Sequence, residues 1–298
     1  MPETLCHEDA AQLAGPLENL RPMPQPSGVL MCPPDYFDVL EAQNPFMAGQ
    51  LGKVDKDKAK SQWHEMKTIL EKLGKSVHVM PAAPNLEDMV FCANQALPGL
   101  GADGQKIALM GRMKYPSRRR ETPFVKSRLD QEGYRTLTLT KDICFEGTGD
   151  ALWHSGKRLI WGGWGQRTRK EAYAEVAQVM GASVCLLEMP NPRFYHLDTC
   201  LAVLSREAAL IHPPAFTEQG LKLLSAVFPA LIEVDAGEAV GQMACNALAI
   251  DERWVIIQRG AVKTVRELKK LGFEIIETET SEFMKSGGSV FCMKLLLF

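Results

Sequence analysis

A chain of 298 residues with 46% hydrophobic and 23% charged content has the composition of a folded protein with a sizeable core, long enough for one large or two ordinary domains. Its net charge of -2 and pI near 6.3 supply no field that would draw it to nucleic acid or to an anionic membrane. The eight cysteines are scattered without any C-x-x-C pair, which excludes a zinc ribbon and a thioredoxin-like site.

Residues 1–27 are polar and proline-rich (Pro16, Pro22, Pro24, Pro26) and read as a loosely ordered lead-in, with 28–298 as one domain. Glu3, Glu8 and Asp9 stand where a secretory signal needs a basic start, and no apolar run reaches the length of a membrane span. A soluble, cytoplasmic protein with reduced thiols and no membrane partner is therefore expected. Val29 to Asp38 begins as a short apolar strand and is stopped by Pro33 and Pro34, after which Asn44 opens an Asn-Pro turn. From Lys58 the spacing of Trp63, Met66, Leu70 and Leu73 predicts a helix ended by Gly74, and Lys75 to Met80 alternates as a strand.

That succession of helix, break and strand then repeats. Glu71 to Val79 is echoed by Asp130 to Thr138, by Gln178 to Leu186 and by Lys269 to Ile276, each with a glycine at the break; Ser225 to Val234 keeps the order without the glycine. After each joint comes a second apolar segment, read as a strand carrying polar residues: Met89 to Leu97, Ile143 to Leu152, Phe194 to Leu204, Gln242 to Ile250, and Phe283 to Leu296. Five units spaced about fifty residues apart fall within the periods of repeat and propeller architectures. Such units cannot bury their apolar faces alone, so they are expected to close around a common axis.

Closure would bring Asn94, Glu146, Asp150, His196, Asp198, Asn246 and Cys292 to one place. Taken singly, a cysteine is usually a small buried hydrophobe and a histidine on an apolar strand a satisfied core residue. Together they are a polar cluster too costly to bury without a purpose. Cys292 follows the Gly287-Gly288 turn, where the backbone can approach a ligand closely, and is the candidate nucleophile. Glu146 and Asp198 suit the planar fork of a guanidinium, and His196, two residues from Asp198 on the same strand face, could act as acid and then base. The simplest chemistry from these parts is attack of the Cys292 thiolate on a guanidino carbon, with loss of ammonia or an amine and hydrolysis of a thiouronium intermediate.

The motifs resemble those of the guanidino-group modifying enzymes, which include arginine deiminases, dimethylarginine hydrolases, amidinotransferases and arginine dihydrolases. The matching stretches are Phe145-Glu146-Gly147-Thr148-Gly149-Asp150, His196-Leu197-Asp198, Gly287 to Cys292, and Pro116-Ser117-Arg118-Arg119-Arg120-Glu121. This resemblance implies an α/β five-bladed pseudosymmetric propeller, with Cys292 as nucleophile, His196 as acid and base, and Glu146 and Asp198 as the guanidinium clamp. It also implies that Arg118 holds the substrate carboxylate, although the arginine run alone reads as solvated surface. Asn44, Asn94, Asp150 and Asn246 are further substrate-binding candidates. Gly162 to Thr168 matches a turn motif of the family and reads as structural. Neither metal nor cofactor is implied; the expected partner is a small guanidino compound, and a homo-oligomer is left open.

Met31 to Asp38, Asn44 to Met47 and Phe91-Cys92-Ala93-Asn94 look most like the arginine dihydrolase branch. Deiminases and dimethylarginine hydrolases usually present an aspartate where Asn94 stands. A neutral amide can hydrogen-bond a urea-like oxygen as well as a guanidinium, so the expected reaction is arginine to ornithine, carbon dioxide and two ammonia. Hydrolysis of methylated arginines, deimination to citrulline, amidino transfer and a non-catalytic binding module are the alternatives. Two departures bear on substrate size: the stretch 98–105 reads as a long loop close to Asn94, and Phe291 and Leu295 are apolar flanks of the nucleophile.

Overall fold

The computed structural model describes residues 6–13, 20–101 and 103–298. Among the described residues there are five separate sheets. Each has the same plan: a first strand runs antiparallel to a second, and a helix then carries the chain back to a third strand parallel to the second. The first unit is completed by the end of the chain, because Leu295–Leu297 pairs antiparallel with Gly28–Met31, which pairs parallel with Ser76–Val79. The second consists of Ala96–Leu100, Lys106–Met110 and Arg135–Thr138; the third of Ala151–Trp153, Leu159–Trp164 and Ser183–Glu188. Leu201–Val203, Ala208–Ile211 and Ala230–Glu233 form the fourth, and Leu248–Ile250, Trp254–Gln258 and Glu274–Thr278 the fifth.

The sequence dictates this plan locally. Middle strands such as Gly28–Met31 and Ala208–Ile211 are buried along their whole length, because a helix covers one face and a neighbouring unit the other. The helix Lys56–Lys72 begins two residues before its expected start, where the Asp55 carboxylate accepts the Lys58 N–H, and it buries Ala59, Trp63, Met66 and Leu70 on one stripe. Gly74, Gly133, Gly181 and Gly272 all have positive φ, which lets the chain leave each helix through a left-handed turn. In the fourth unit the helix Glu218–Val227 is broken instead by Phe228 and Pro229.

The first strands stand nearest the centre: Leu295–Leu297 touches Ala96–Leu100, and Leu201–Val203 touches Leu248–Ile250. The fold is a five-bladed α/β propeller. Cys6–His7, within the stretch read as a lead-in, adds a parallel strand to the edge of the third sheet, and Met23 is buried; residues 1–5 and 14–19 lie outside the described residues.

The long second strands expected from the sequence are not found. Their strand portions are only three to five residues long, and the polar residues sit in compact turns just before them. Asn94 lies in the 3₁₀ turn Cys92–Gln95, Glu146 caps the short helix Gly147–Asp150, and His196 precedes the 3₁₀ turn Leu197–Thr199. Asn246 and Cys292 occupy hydrogen-bonded turns closed by Asn246 N to Met243 O and Met293 N to Ser289 O. Strand alternation would press half of these polar groups between sheets, whereas turns aim them at the axis while satisfying their own backbone locally.

The stretch 98–105 is likewise not a loop beside Asn94. Pro98 to Leu100 continue a strand, and the turn after them lies at its far end, where the Arg158 guanidinium donates to the carbonyls of Leu100 and Gly101.

Candidate active site

Cys292 is 2% exposed and lines a small cleft of about 280 Å³. Its thiol donates to Asp198 Oδ2 at 3.2 Å and receives the Asn246 amide N–H at 3.2 Å. Asn246 does more than touch the sulfur. Its Oδ1 accepts the N–H groups of Ser289, Phe291 and Cys292, and its Nδ2 also donates to the Asp198 carbonyl. One buried side chain thus clasps the turn carrying Cys292 to the turn carrying Asp198; it does not line the cleft.

The glycine turn ahead of Cys292 is held from the other side. Tyr195 Oη donates to the Gly287 carbonyl at 2.6 Å and Asn44 Nδ2 donates to the Ser286 carbonyl at 3.0 Å. A Cβ on Gly287, whose φ is +84°, would meet both of those side chains, and one on Gly288 would run into the Phe91 ring. The glycines therefore admit the chain to a crowded wall of the cleft.

Behind that wall His196, Glu146 and Asp198 are sealed from solvent. His196 and Asp198 do not share a strand face, because the turn Leu197–Thr199 separates their directions: His196 Nε2 pairs with Glu146 Oε2 at 2.6 Å, while Asp198 pairs with Cys292. Asp150 belongs to the frame. Its oxygens accept the Leu197 N–H at 3.0 Å and the Thr168 N–H at 3.2 Å, fixing the histidine turn, and it does not line the cleft.

Burial would raise the Glu146 carboxyl, but the Arg167 charge, the His196 hydrogen bond and Arg118 outweigh it and hold this group well below the usual carboxylate range. For Asp198 burial wins over the Cys292 hydrogen bond and the charge of Lys294, and pushes it up to about 7. Cys292 is pushed well above the ordinary thiol range by burial and by the Asp198 carboxylate.

Two guanidinium groups face the cleft. Arg118 holds Glu121 through Nε and Nη2 at 3.1 and 3.0 Å and donates through Nη1 to Asn94 Oδ1 at 2.8 Å. Arg167 lies between the rings of Tyr115 and Tyr195 and donates to Glu146 Oε2 at 3.1 Å. Beside them is Asp88, which accepts the Ser286 hydroxyl. Neither Arg167 nor Asp88 stands out from the sequence as a site residue. The signal for Arg167 is its place in the Gly162 to Thr168 motif, read there as structural; Asp88 offers none beyond standing six residues before Asn94. Among the described residues no group of three His, Cys, Asp or Glu side chains could hold a metal ion, and no helix is long and apolar enough to cross a membrane.

A family model described as N,N dimethylarginine dimethylhydrolase, eukaryotic, matches residues 34–298. The chain belongs to this dimethylarginine hydrolase family. Within it, the chain is 37% identical over 286 residues to the N(G),N(G)-dimethylarginine dimethylaminohydrolase of Mycobacterium tuberculosis, covering 96% of this chain and 90% of that protein. It is 33% identical over 270 residues to the bifunctional arginine dihydrolase/ornithine cyclodeaminase ArgZ of Synechocystis, where 90% of this chain spans only 37% of the relative's length. A crystal structure of the N-terminal domain of an ArgZ variant, covalently bound to a reaction intermediate, superposes with a TM-score of 0.85 at 31% identity. That match covers 91% of this chain and 97% of that one.

Proposed function

We propose that the chain is a cysteine-dependent hydrolase of the guanidino group of arginine, converting arginine and two waters to ornithine, carbon dioxide and two ammonia. The observation that carries the reading is Asn94: a neutral amide, fixed by Arg118 and turned toward His196, is buried in the wall of the cleft that Cys292 also lines.

In this reading Asp198 and Glu146 hold the guanidinium, whose charge favours loss of the Cys292 proton, which passes to His196. Sulfur bonds to the guanidino carbon and a C–N bond breaks, with His196 protonating the departing ammonia. Water attacks the thiouronium with His196 as base, a second ammonia leaves, and the Asn94 amide donates to the oxygen of the resulting thiol-bound carbonyl. Hydrolysis of that carbonyl frees Cys292 and gives ornithine and carbon dioxide. Arg118 and Arg167 receive the substrate carboxylate, and Asp88 and Asn44 its ammonium. The reading needs no cofactor, and residues 28–298 form the catalytic domain.

Hydrolysis of methylated arginines is the second reading, supported by the family match and by the mycobacterial relative. Guanidino-labelled arginine and dimethylarginine, each incubated with the protein and with Cys292→Ala, distinguish them. Ornithine with labelled carbon dioxide, absent in the variant, supports the dihydrolase; citrulline formed from dimethylarginine but not from arginine rejects it.

A further inference from the structure

A second cavity, of about 880 Å³ with its open mouth, lies on the axis of the propeller. Every blade lines it: Pro98, Leu152, Val203, Leu248 and Leu296 come one from each of the five first strands. The catalytic turns stand just before those strands, whereas Ser155, Asp251 and Glu252 at the mouth of this cavity stand just after them, so it opens at the opposite end of the axis. No residue lines both spaces. The two meet at one turn, where Phe291 lines the cavity and Cys292 the cleft, and the N–H groups of both go to Asn246 Oδ1.

The lining has two parts. Inside it is apolar, and Val203, Ala249, Phe291 and Leu296 stay partly exposed there; apolar surface left open in an enclosed space is what the body of an apolar ligand covers. At the mouth stand one cation and two anions. The Lys75 side chain is only 10% exposed, and its ammonium donates to Asp251 Oδ1 at 2.7 Å and to the Pro26 carbonyl at 2.9 Å, which leaves one N–H. Glu252 Oε1 accepts the Ser155 hydroxyl at 2.5 Å and the Arg206 N–H at 3.2 Å. Its Oε2 and Asp251 Oδ2 take no hydrogen bond among the described residues. His154, the remaining titratable residue of the lining, is drawn down to about 4 by burial and is neutral.

The backbone that carries the two anions is costly. Asp251 and Glu252 form a two-residue turn closed by Arg253 N to Ile250 O, with φ of +54° and +57°. Such a turn favours asparagine followed by glycine, and a glutamate in the left-handed region is strained. Strain of this kind persists where the side chain is needed.

We propose that the axial cavity is a second binding site, for an amino acid with an apolar side chain: the side chain fills the apolar interior, the carboxylate accepts the remaining Lys75 N–H, and the ammonium donates to the open oxygens of Asp251 and Glu252. A ligand seated there lies against Phe291, next to the nucleophile, without entering the cleft. The inference does not rest on the reaction assigned to Cys292.

The test is photolabelling of the whole protein with L-photo-leucine, whose diazirine loses nitrogen under light and inserts into the nearest bond, followed by peptide mass spectrometry. Saturable labelling is expected on the peptides carrying Val203 and Ala249, suppressed by excess L-leucine or L-phenylalanine but not by arginine. In calorimetric titrations phenethylamine and 3-phenylpropionate, which each lack one charged group, are expected to bind at least about tenfold more weakly than L-phenylalanine. Glu252→Gly is expected to weaken L-phenylalanine by a similar factor while melting no lower, because glycine relieves the left-handed backbone. Labelling that does not saturate, or that maps to the cleft peptides alone, overturns the proposal. So does tight binding of the one-charge compounds, or binding left unchanged by Glu252→Gly. The photolabelling needs no variant and decides the matter even where Glu252→Gly folds poorly.

Discussion

Arg118 Nη1 donates to Asn94 Oδ1 at 2.8 Å, and this bond decides which way the Asn94 amide faces. A guanidinium can only donate, so Oδ1 must point to Arg118 and Nδ2 toward His196 Nδ1, 3.5 Å away. On that assignment Nδ1 accepts and Nε2 carries the hydrogen directed at Glu146 Oε2. The imidazole ring is thereby oriented at both ends by groups the sequence places in different units.

Replacing Asn94 by aspartate keeps the partner of Arg118 but turns a carboxylate oxygen toward His196. The amide donor to a thiol-bound carbonyl is then lost. Product analysis of Asn94→Asp is expected to show ornithine falling by about tenfold or more, the loss of one or two hydrogen bonds in a reacting complex, with citrulline accumulating. Unchanged ornithine yield would remove Asn94 from the mechanism.

Arg118 is also a structural charge. Arg118→Met leaves the carboxylate of Glu121, 2% exposed, without its cation, and breaking a buried pair from one side costs about 3–5 kcal/mol. Urea unfolding should register that loss, and adding Glu121→Gln should restore part of it. A single variant as stable as the parent would contradict the pairing.

Folding raises the Asp198 carboxyl to about 7 by burial. The native state therefore keeps a proton that the unfolded chain releases. The stability this group contributes is fully present below its unfolded value, about 3.9, and is lost as pH rises through about 7. Unfolding free energies between about pH 4.5 and 7.5 are expected to fall more steeply for the parent than for Asp198→Asn, by roughly 1–3 kcal/mol. Parallel curves would show that Asp198 is not a raised carboxyl.

Asp150→Ala strips the partners from two buried backbone N–H groups, those of Leu197 and Thr168. Each unsatisfied group costs about 1–3 kcal/mol, and the His196 turn loses its anchor. The expected outcome is a lower melting temperature together with a lower kcat. Full activity at unchanged stability would free Asp150 from the framing role.

The five-unit plan is legible because the breaks after the helices recur: Gly74, Gly133, Gly181 and Gly272 stand at equivalent joints, and the fourth joint keeps the order through Pro229. The central polar residues are legible for the same reason, since equivalent positions of a closed repeat converge. Their local conformation is not. Apolar residues flanking Glu146, His196 and Cys292 suggest strands, whereas those residues pack against neighbouring units while the backbone turns. Arg167 and Asp88 escape a reading of the sequence because their roles come from contacts between units, such as Arg167 with Tyr195 and Asp88 with Ser286, which no spacing within one unit reveals.

The central claim is that Cys292 takes the guanidino carbon onto its sulfur. Rapid acid quench of the protein with arginine, followed by intact-mass and peptide mass spectrometry, tests it directly. The expected result is a transient species heavier by arginine less one ammonia, carried on the Cys292 peptide and absent in Cys292→Ala. Turnover of arginine that proceeds in Cys292→Ala, or an adduct mapped to another residue, would contradict it.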